Sequence, residues 1–400
     1  MIKRFLFLDC FERFFLGIKK NRSEFSWDSP QCILVLRAAA ACVLAIFLAI
    51  YTQAQDPFWS GISAMTVMLS TQAGSFRKGA LRISGTLIGA LIALVCVSLF
   101  IQQPLMLGVC LFLISVIGIY GSLVDSDRMY AWLMGYISAL MVVLMPLGEY
   151  ATGNNFVNVA FYRSYEVILG ALAAFFIQII FAPKILQAAK REKNEKSVGA
   201  NLVFVPMTSF KKINFLKFSL ISTCGILIGP LLWMFFALPG FSQIAVSIGA
   251  VLSMDVEGTR YKGFLRILGC AVGAVFVFIF VGLGIDNIFL FLILLFLVSI
   301  FFLYFHFSDA QISYFGTQGL VVFYIGVAAG LTPETSLSST IERLIGIIGG
   351  VCFIVIFLSC FWKNKTPGNK VVETEGLGKK IEKDLEKDLD KNLDKNFGGI

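Results

Sequence analysis

The sequence predicts an all-α integral membrane protein, about twelve transmembrane helices arranged as two parallel six-helix repeats, and three observations carry that prediction. Hydrophobic residues make up 58% of the chain and charged residues 14%, with a mean hydropathy of +0.83, so the bilayer is the solvent. A basic, glycine-bearing motif occurs twice. Lysine and arginine gather in alternate loops.

A spanning helix needs about 17 to 25 mostly apolar residues. Charges and prolines separate twelve candidate runs, at 31–52, 57–74, 79–101, 104–123, 130–147, 159–182, 216–237, 241–256, 263–283, 287–305, 311–330 and 341–362. The runs 57–74 and 241–256 are short enough to be tilted, broken or partly re-entrant.

The motif Lys78-Gly79-x-Leu81-Arg82-Ile83-x-Gly85-x-x-x-Gly89-Ala90 returns 184 residues later as Lys262-Gly263-x-Leu265-Arg266-Ile267-x-Gly269-x-x-x-Gly273-Ala274. The same shift aligns Ser63 with Ser247, Gly74 with Gly258, Tyr130 with Tyr314 and Gly135 with Gly319. Near the end of each half the shift becomes 180, so that Arg163 and Gly170 meet Arg343 and Gly350. Two glycines one helical turn apart let backbones approach closely, which is how helices pack where lipid offers no hydrophobic driving force. Gly85, Gly89, Gly269 and Gly273 are read as packing residues, and Lys78, Gly79, Arg82, Lys262, Gly263 and Arg266 as motif residues that orient each repeat.

A net charge of +8 suggests nucleic acid until its distribution is considered. The cations lie at 3–22, 77–82, 128, 184–217, 260–266 and 363–395, and the intervening loops carry none. By the positive-inside rule both termini are cytoplasmic. Six helices per half make the repeats parallel, related by an axis along the membrane normal. The chain then divides into a cytoplasmic segment 1–30, a first membrane repeat 31–182, a cytoplasmic linker 183–215, a second repeat 216–362 and a charged cytoplasmic tail 363–400. Asp9, Glu12 and Arg13 interrupt the N-terminal segment, which is therefore read as a surface segment and not a cleavable signal peptide. From Lys379 the tail repeats an apolar residue every fourth position, the pattern of a solvated amphipathic helix that also offers a surface for a homo-oligomer.

No constellation supports an enzyme. The single histidine, His306, falls in an expected cytoplasmic loop and leaves a His-based triad or metal-ligand cluster unsupported, no phosphate-binding Gly-x4-Gly-Lys-Ser/Thr loop occurs, and the nine cysteines form no Cys-x-x-Cys pair. No metal or cofactor is expected. The informative residues are charges inside apolar runs, since each costs about 2.5 to 3.5 kcal/mol at the bilayer centre on insertion scales. Arg37, Arg163 and Arg343 are candidates for attracting an anion, with Glu166, on the same helical face as Arg163, as a candidate proton site. Trp59 at the outer mouth is a candidate for stacking on a ligand. The structural alternatives are an Arg163–Glu166 ion pair, arginine tips snorkelling to water, and Trp59 as a belt residue.

Pro57-Phe58-Trp59, Arg77-Lys78-Gly79, Arg82-x-x-Gly85-Thr86-x-x-Gly89, Asp125-Ser126-Asp127-Arg128-x-Tyr130-Ala131 and Arg163-x-x-Glu166-x-x-x-Gly170 together resemble the fusaric acid resistance and aromatic acid exporter group of bacterial inner-membrane proteins. Residues 216–362 resemble a diverged copy. The resemblance implies efflux of small organic, including aromatic, acids across the inner membrane. It also implies a periplasmic adaptor and an outer-membrane channel as partners, and adds Tyr130 to the substrate-binding candidates. An anion channel of the malate type, a major-facilitator-like transporter and a non-transporting assembly factor are the competing readings.

Overall fold

The structure, a computed structural model, describes residues 8–23, 30–147, 153–181, 212–285, 287–308, 310–330 and 338–362. The linker up to residue 211 and the tail from Lys363, including its expected amphipathic helix, lie outside the described residues. All described elements are helical: α1 Leu8–Ser23, α2 Pro30–Tyr51, α3 Phe58–Val67, α4 Gln72–Phe100, α5 Pro104–Val124, α6 Met129–Leu147, α7 Gly153–Phe181, α8 Lys212–Phe235, α9 Phe241–Val251, α10 Val256–Gly282, α11 Ile288–His306, α12 Ala310–Val327 and α13 Ser338–Phe361. Nine of them are long and apolar enough to cross a membrane, the others being α1, α3, α9 and α12.

The basic motif does not precede its helix, as the expected starts at 79 and 263 required. It forms the second and third turns of α4 and α10. The reason is capping: Thr71 Oγ1 accepts from Gly74 N at 3.3 Å, and Asp255 accepts from Glu257 N and Gly258 N at 3.3 and 3.0 Å, so each helix begins seven residues early. The shortened predecessors, α3 and α9, have 10 and 11 residues. Extended backbone at Met68 (ψ 125°) and Leu252 (ψ 131°) ends both.

Helix pairings among α2–α7 recur among α8–α13. α4 packs on α6 and α7 as α10 packs on α12 and α13; α3 packs on α2 and α7 as α9 packs on α8 and α13; α5 packs on α6 as α11 on α12. Between the halves, α2 meets α11 and α5 meets α8, while α3 meets α12 and α6 meets α9. Two cores result, and each draws residues from both halves: Ile46, Phe58 and Ala174 with Phe302, Phe323 and Tyr324 in one, Leu140, Val143 and Phe156 with Ile226, Ile248 and Ile354 in the other. On the outside, Ile88, Leu91, Val95 and Leu99 of α4 and Leu105, Val109, Leu113 and Ile117 of α5 are exposed, a surface far too apolar for water and suited to lipid.

The closest backbone approaches explain the paired glycines. A Cβ on Gly85 would strike Ala131 O and one on Gly89 would strike Gly135 O. Cβ atoms on Gly269 and Gly273 would lie 2.5 Å from Phe315 O and Gly319 O, the same contacts one repeat later. Gly79 is filled by the Phe175 ring, and Gly263 by Val351, 2.6 Å from a built Cβ.

In the N-terminal segment, α1 buries Cys10, Phe14 and Gly17, spaced at helical period, against Phe264, Leu265, Ile312 and Phe315 in the N-terminal halves of α10 and α12. Phe15 and Leu16 remain exposed on its other side.

Candidate functional site

The two short helices organise the buried charge. A helix that stops inside an apolar layer leaves carbonyls at its C-terminal end, and a cation there offsets the helix dipole by about 0.3 to 2 kcal/mol. Arg82, 3% exposed, serves α3: its Nε donates to Ser63 Oγ at 3.1 Å and its Nη1 to Tyr130 Oη at 2.7 Å. Arg266, 5% exposed, serves α9: its Nη2 donates to Ser247 Oγ at 3.2 Å and its Nη1 to Tyr314 Oη at 3.5 Å, while Tyr314 Oη donates to Ala250 O at 3.2 Å. Each arginine has one further partner at the same position in the repeat, Met134 Sδ at 3.3 Å for Arg82 and Gln318 Oε1 for Arg266. The breaks are tied alike, Leu69 N to Ser75 Oγ at 2.9 Å and Ser253 N to Thr259 Oγ1 at 3.0 Å.

At the other end of α3 the positive pole of the helix meets a carboxylate. Glu166, on α7 and 1% exposed, accepts from Asp56 N at 2.7 Å. One turn earlier on α7, Arg163 is 6% exposed and lays its guanidinium on the Trp59 indole, with Cζ 3.3 Å from the ring centre. Its Nε and Nη1 have no hydrogen-bond partner. Arg163 and Glu166 thus share a helical face yet turn to different partners, and the charges of Arg82, Glu166 and Asp56 all act on the arginine. Trp59 also packs against both apolar cores, so the stacked pair stands where the halves meet.

The structure brings Arg163, Trp59 and Glu166 together and places Tyr130 with Arg82 deeper along α3. Arg37 stands apart from them. Its Nη2 donates to Gln178 Oε1, and Gln178 Nε2 donates to Leu69 O at 3.4 Å, at the opposite end of α3 from Trp59, about 15 Å away along the helix. The Arg343 side chain lies outside the described residues. His306, expected in a loop, closes α11 with Nδ1 2.7 Å from Thr317 Oγ1. Gln178, Gln318 and Met134 were not singled out from sequence. Their polar or polarisable ends in apolar helices are a weak signal, although Met134 and Gln318 share one repeat position. Among the described residues no His, Cys, Asp and Glu group is arranged to hold a metal. An apolar crevice of about 360 Å³ between α4 and α7, lined by Leu94, Val97, Ile101 and Phe156, carries no charge and is no match for an anion.

Two stretches of the chain match known protein families. Residues 31–208 match the fusaric acid resistance protein family, and residues 223–357 match a fusaric acid resistance protein-like family. The p-hydroxybenzoic acid efflux pump subunits AaeB of Enterobacter cloacae subsp. cloacae and Escherichia coli K12 are each 30% identical over 179 residues, covering 42% of this chain and 27% of their own length. The corresponding subunit of Citrobacter koseri is 29% identical over the same length. The chain thus spans about a quarter of the length of these curated relatives. No solved structure matches it.

Proposed function

The chain is a fusaric-acid-resistance-like membrane protein, and from that premise we propose that it exports small organic acids, aromatic ones included, across the bacterial inner membrane at the expense of an ion gradient. The observation that carries the reading is Arg163: a buried guanidinium with two unpartnered donors, stacked on an indole and one turn from a buried carboxylate. An unpaired cation in an apolar surrounding is costly and is relieved by an anion. A guanidinium binds a carboxylate with two donors, and the indole offers a face to a ring. Glu166 is the proton site in this proposal, because protonation there removes a negative charge beside Arg163 and changes its affinity for an anion. The p-hydroxybenzoic acid named for the relatives is an acid of the class that suits this pair.

In this reading twelve helices span the membrane as two parallel repeats, with both termini in the cytoplasm. The recurring pairings and the alternate basic loops support it. Partners of the kind a pump subunit needs, a periplasmic adaptor and an outer-membrane channel, belong to the proposal.

The test is uptake of labelled p-hydroxybenzoate into inverted membrane vesicles with and without an imposed proton gradient. Accumulation above equilibrium that Glu166→Gln reduces to simple equilibration is the expected result. Unchanged accumulation in that variant removes Glu166 from the mechanism, and equilibration by the unaltered chain makes it a channel.

A further inference from the structure

A second cluster of cations lies inward of Arg163. Lys78 and Arg82 are one helical turn apart on α4, and both face Tyr130: Lys78 Nζ is 5.4 Å from the ring centre, and Arg82 holds the hydroxyl. Every hydrogen-bond partner of Arg82 is neutral, namely Ser63, Tyr130 and Met134. Lys78 makes no hydrogen bond among the described residues; the neutral Tyr130 ring faces it, Arg82 repels it and the His306 ring lies within electrostatic reach. The nearby carboxylate, Asp127, is 84% exposed and taken by Arg77 at 3.1 Å. Arg82 is buried and Lys78 half-buried, and with no carboxylate paired to either among the described residues they attract an anion that reaches them.

The second half repeats the pair as Lys262 and Arg266, again with neutral partners. There, however, α1 covers the inner end, with Phe11 against Phe264 and Phe14 against Phe315. The corresponding end of the first half has no such helix across it among the described residues.

We infer that Lys78 and Arg82 form an inner anion station that receives the carboxylate of a small organic acid from the side marked by the exposed Arg77–Asp127 pair, with Tyr130 as the wall against which its ring lies. The inference rests on the export function proposed above and adds an entry point to it. Arg82 also lies within electrostatic reach of Arg163, so the two stations are neighbours.

Calorimetric titration of the full chain with benzoate in phosphatidylcholine nanodiscs tests it. With the outer station disabled by Arg163→Gln, benzoate still binds; adding Lys78→Gln weakens that remaining binding about tenfold, equivalent to about 1.4 kcal/mol, and Lys78→Arg restores it. Lys78 has no hydrogen bond to lose among the described residues, and a thermal melt of each variant confirms that it is folded. The station is overturned if Arg163→Gln alone abolishes binding, if Lys78→Gln leaves the remaining binding unchanged, or if the unaltered chain binds no benzoate. Phosphatidylglycerol nanodiscs separate the sources of the anion. Lys78-dependent stabilisation by that lipid with no Lys78-dependent benzoate binding would identify a headgroup site and overturn the substrate station. The vesicle flux assay reports on the export function separately: flux with no effect of Lys78→Gln sinks the station alone.

Discussion

The ends of the two halves that carry the basic motif are built alike and the opposite ends are not. At the motif end, Arg82 and Arg266 each bond a serine of the interrupted helix and a tyrosine at the same repeat positions. At the opposite end, the first half inserts the Glu166 carboxylate at the start of α3, whereas the second half has Gly346 in that place, pressed against Gly240 at the start of α9. Gly240 has φ +80°, a left-handed conformation that side chains disfavour, and a Cβ on Gly346 would meet Gly240 O. Trp59 is matched by Gln243, and Trp233 closes the loop by donating to Pro239 O at 2.8 Å. The serine and tyrosine bonds kept in both halves serve the fold, whereas the Glu166 contact and the Trp59 indole belong to the first half alone.

The largest effects test the shared part. Gly89→Leu and Gly273→Leu each force a side chain into a facing backbone, and each is expected to cost about 3 kcal/mol or more and to abolish folded protein in size-exclusion profiles. A variant tolerated in one half only would break the equivalence of the α4–α6 and α10–α12 contacts. Next comes the end where Trp59 and Glu166 set the first half apart. Arg163→Gln is expected to lower carboxylate flux about a hundredfold, near the upper range for a charge-assisted hydrogen bond of about 1.5 to 3 kcal/mol, with little effect on a neutral analogue. Equal loss for both substrates would make Arg163 a structural cation. Smaller again, Gly346→Ala should destabilise the chain by about 1 to 3 kcal/mol as read by thermal melting, because the close contact with Gly240 leaves no room for a methyl group. A neutral result would show that the second half can open as the first does.

Much of this plan is legible in the sequence, for a definite reason. Composition and alternate basic loops respond to the bilayer, a constraint acting on every residue, and the glycine motif responds to backbone contact, which tolerates no substitute. The shift of 184 residues already paired Ser63 with Ser247 and Tyr130 with Tyr314. That Arg82 and Arg266 reach these residues depends on where α3 and α9 stop, and hydropathy does not register a break hidden in an apolar run. The partners Gln178 and Gln318 were missed because one amide in an apolar helix carries no periodic signal. Arg163 and Glu166 were visible as charges, but their separation to Trp59 and Asp56 is set by packing of α7 on α3, a tertiary fact.

The smallest expected effect sharpens the comparison at the inner rim. Arg77 Nη2 and Asp127 Oδ1 are 3.1 Å apart with side chains 65% and 84% exposed, and the equivalent positions in the second half hold Tyr261, whose hydroxyl donates to Gln311 O at 3.0 Å. One half joins its α4–α6 turn by an ion pair and the other joins α10 to α12 by a neutral hydrogen bond. Exposed ion pairs are screened by water and salt and contribute about 0 to 1 kcal/mol. Asp127→Asn should therefore shift stability by less than about 0.5 kcal/mol, with melting curves that coincide with the unaltered chain at high salt. A larger loss, persisting in salt, would mean that the charge itself organises the first half's inner mouth. The two rims would then differ in function as the opposite ends do.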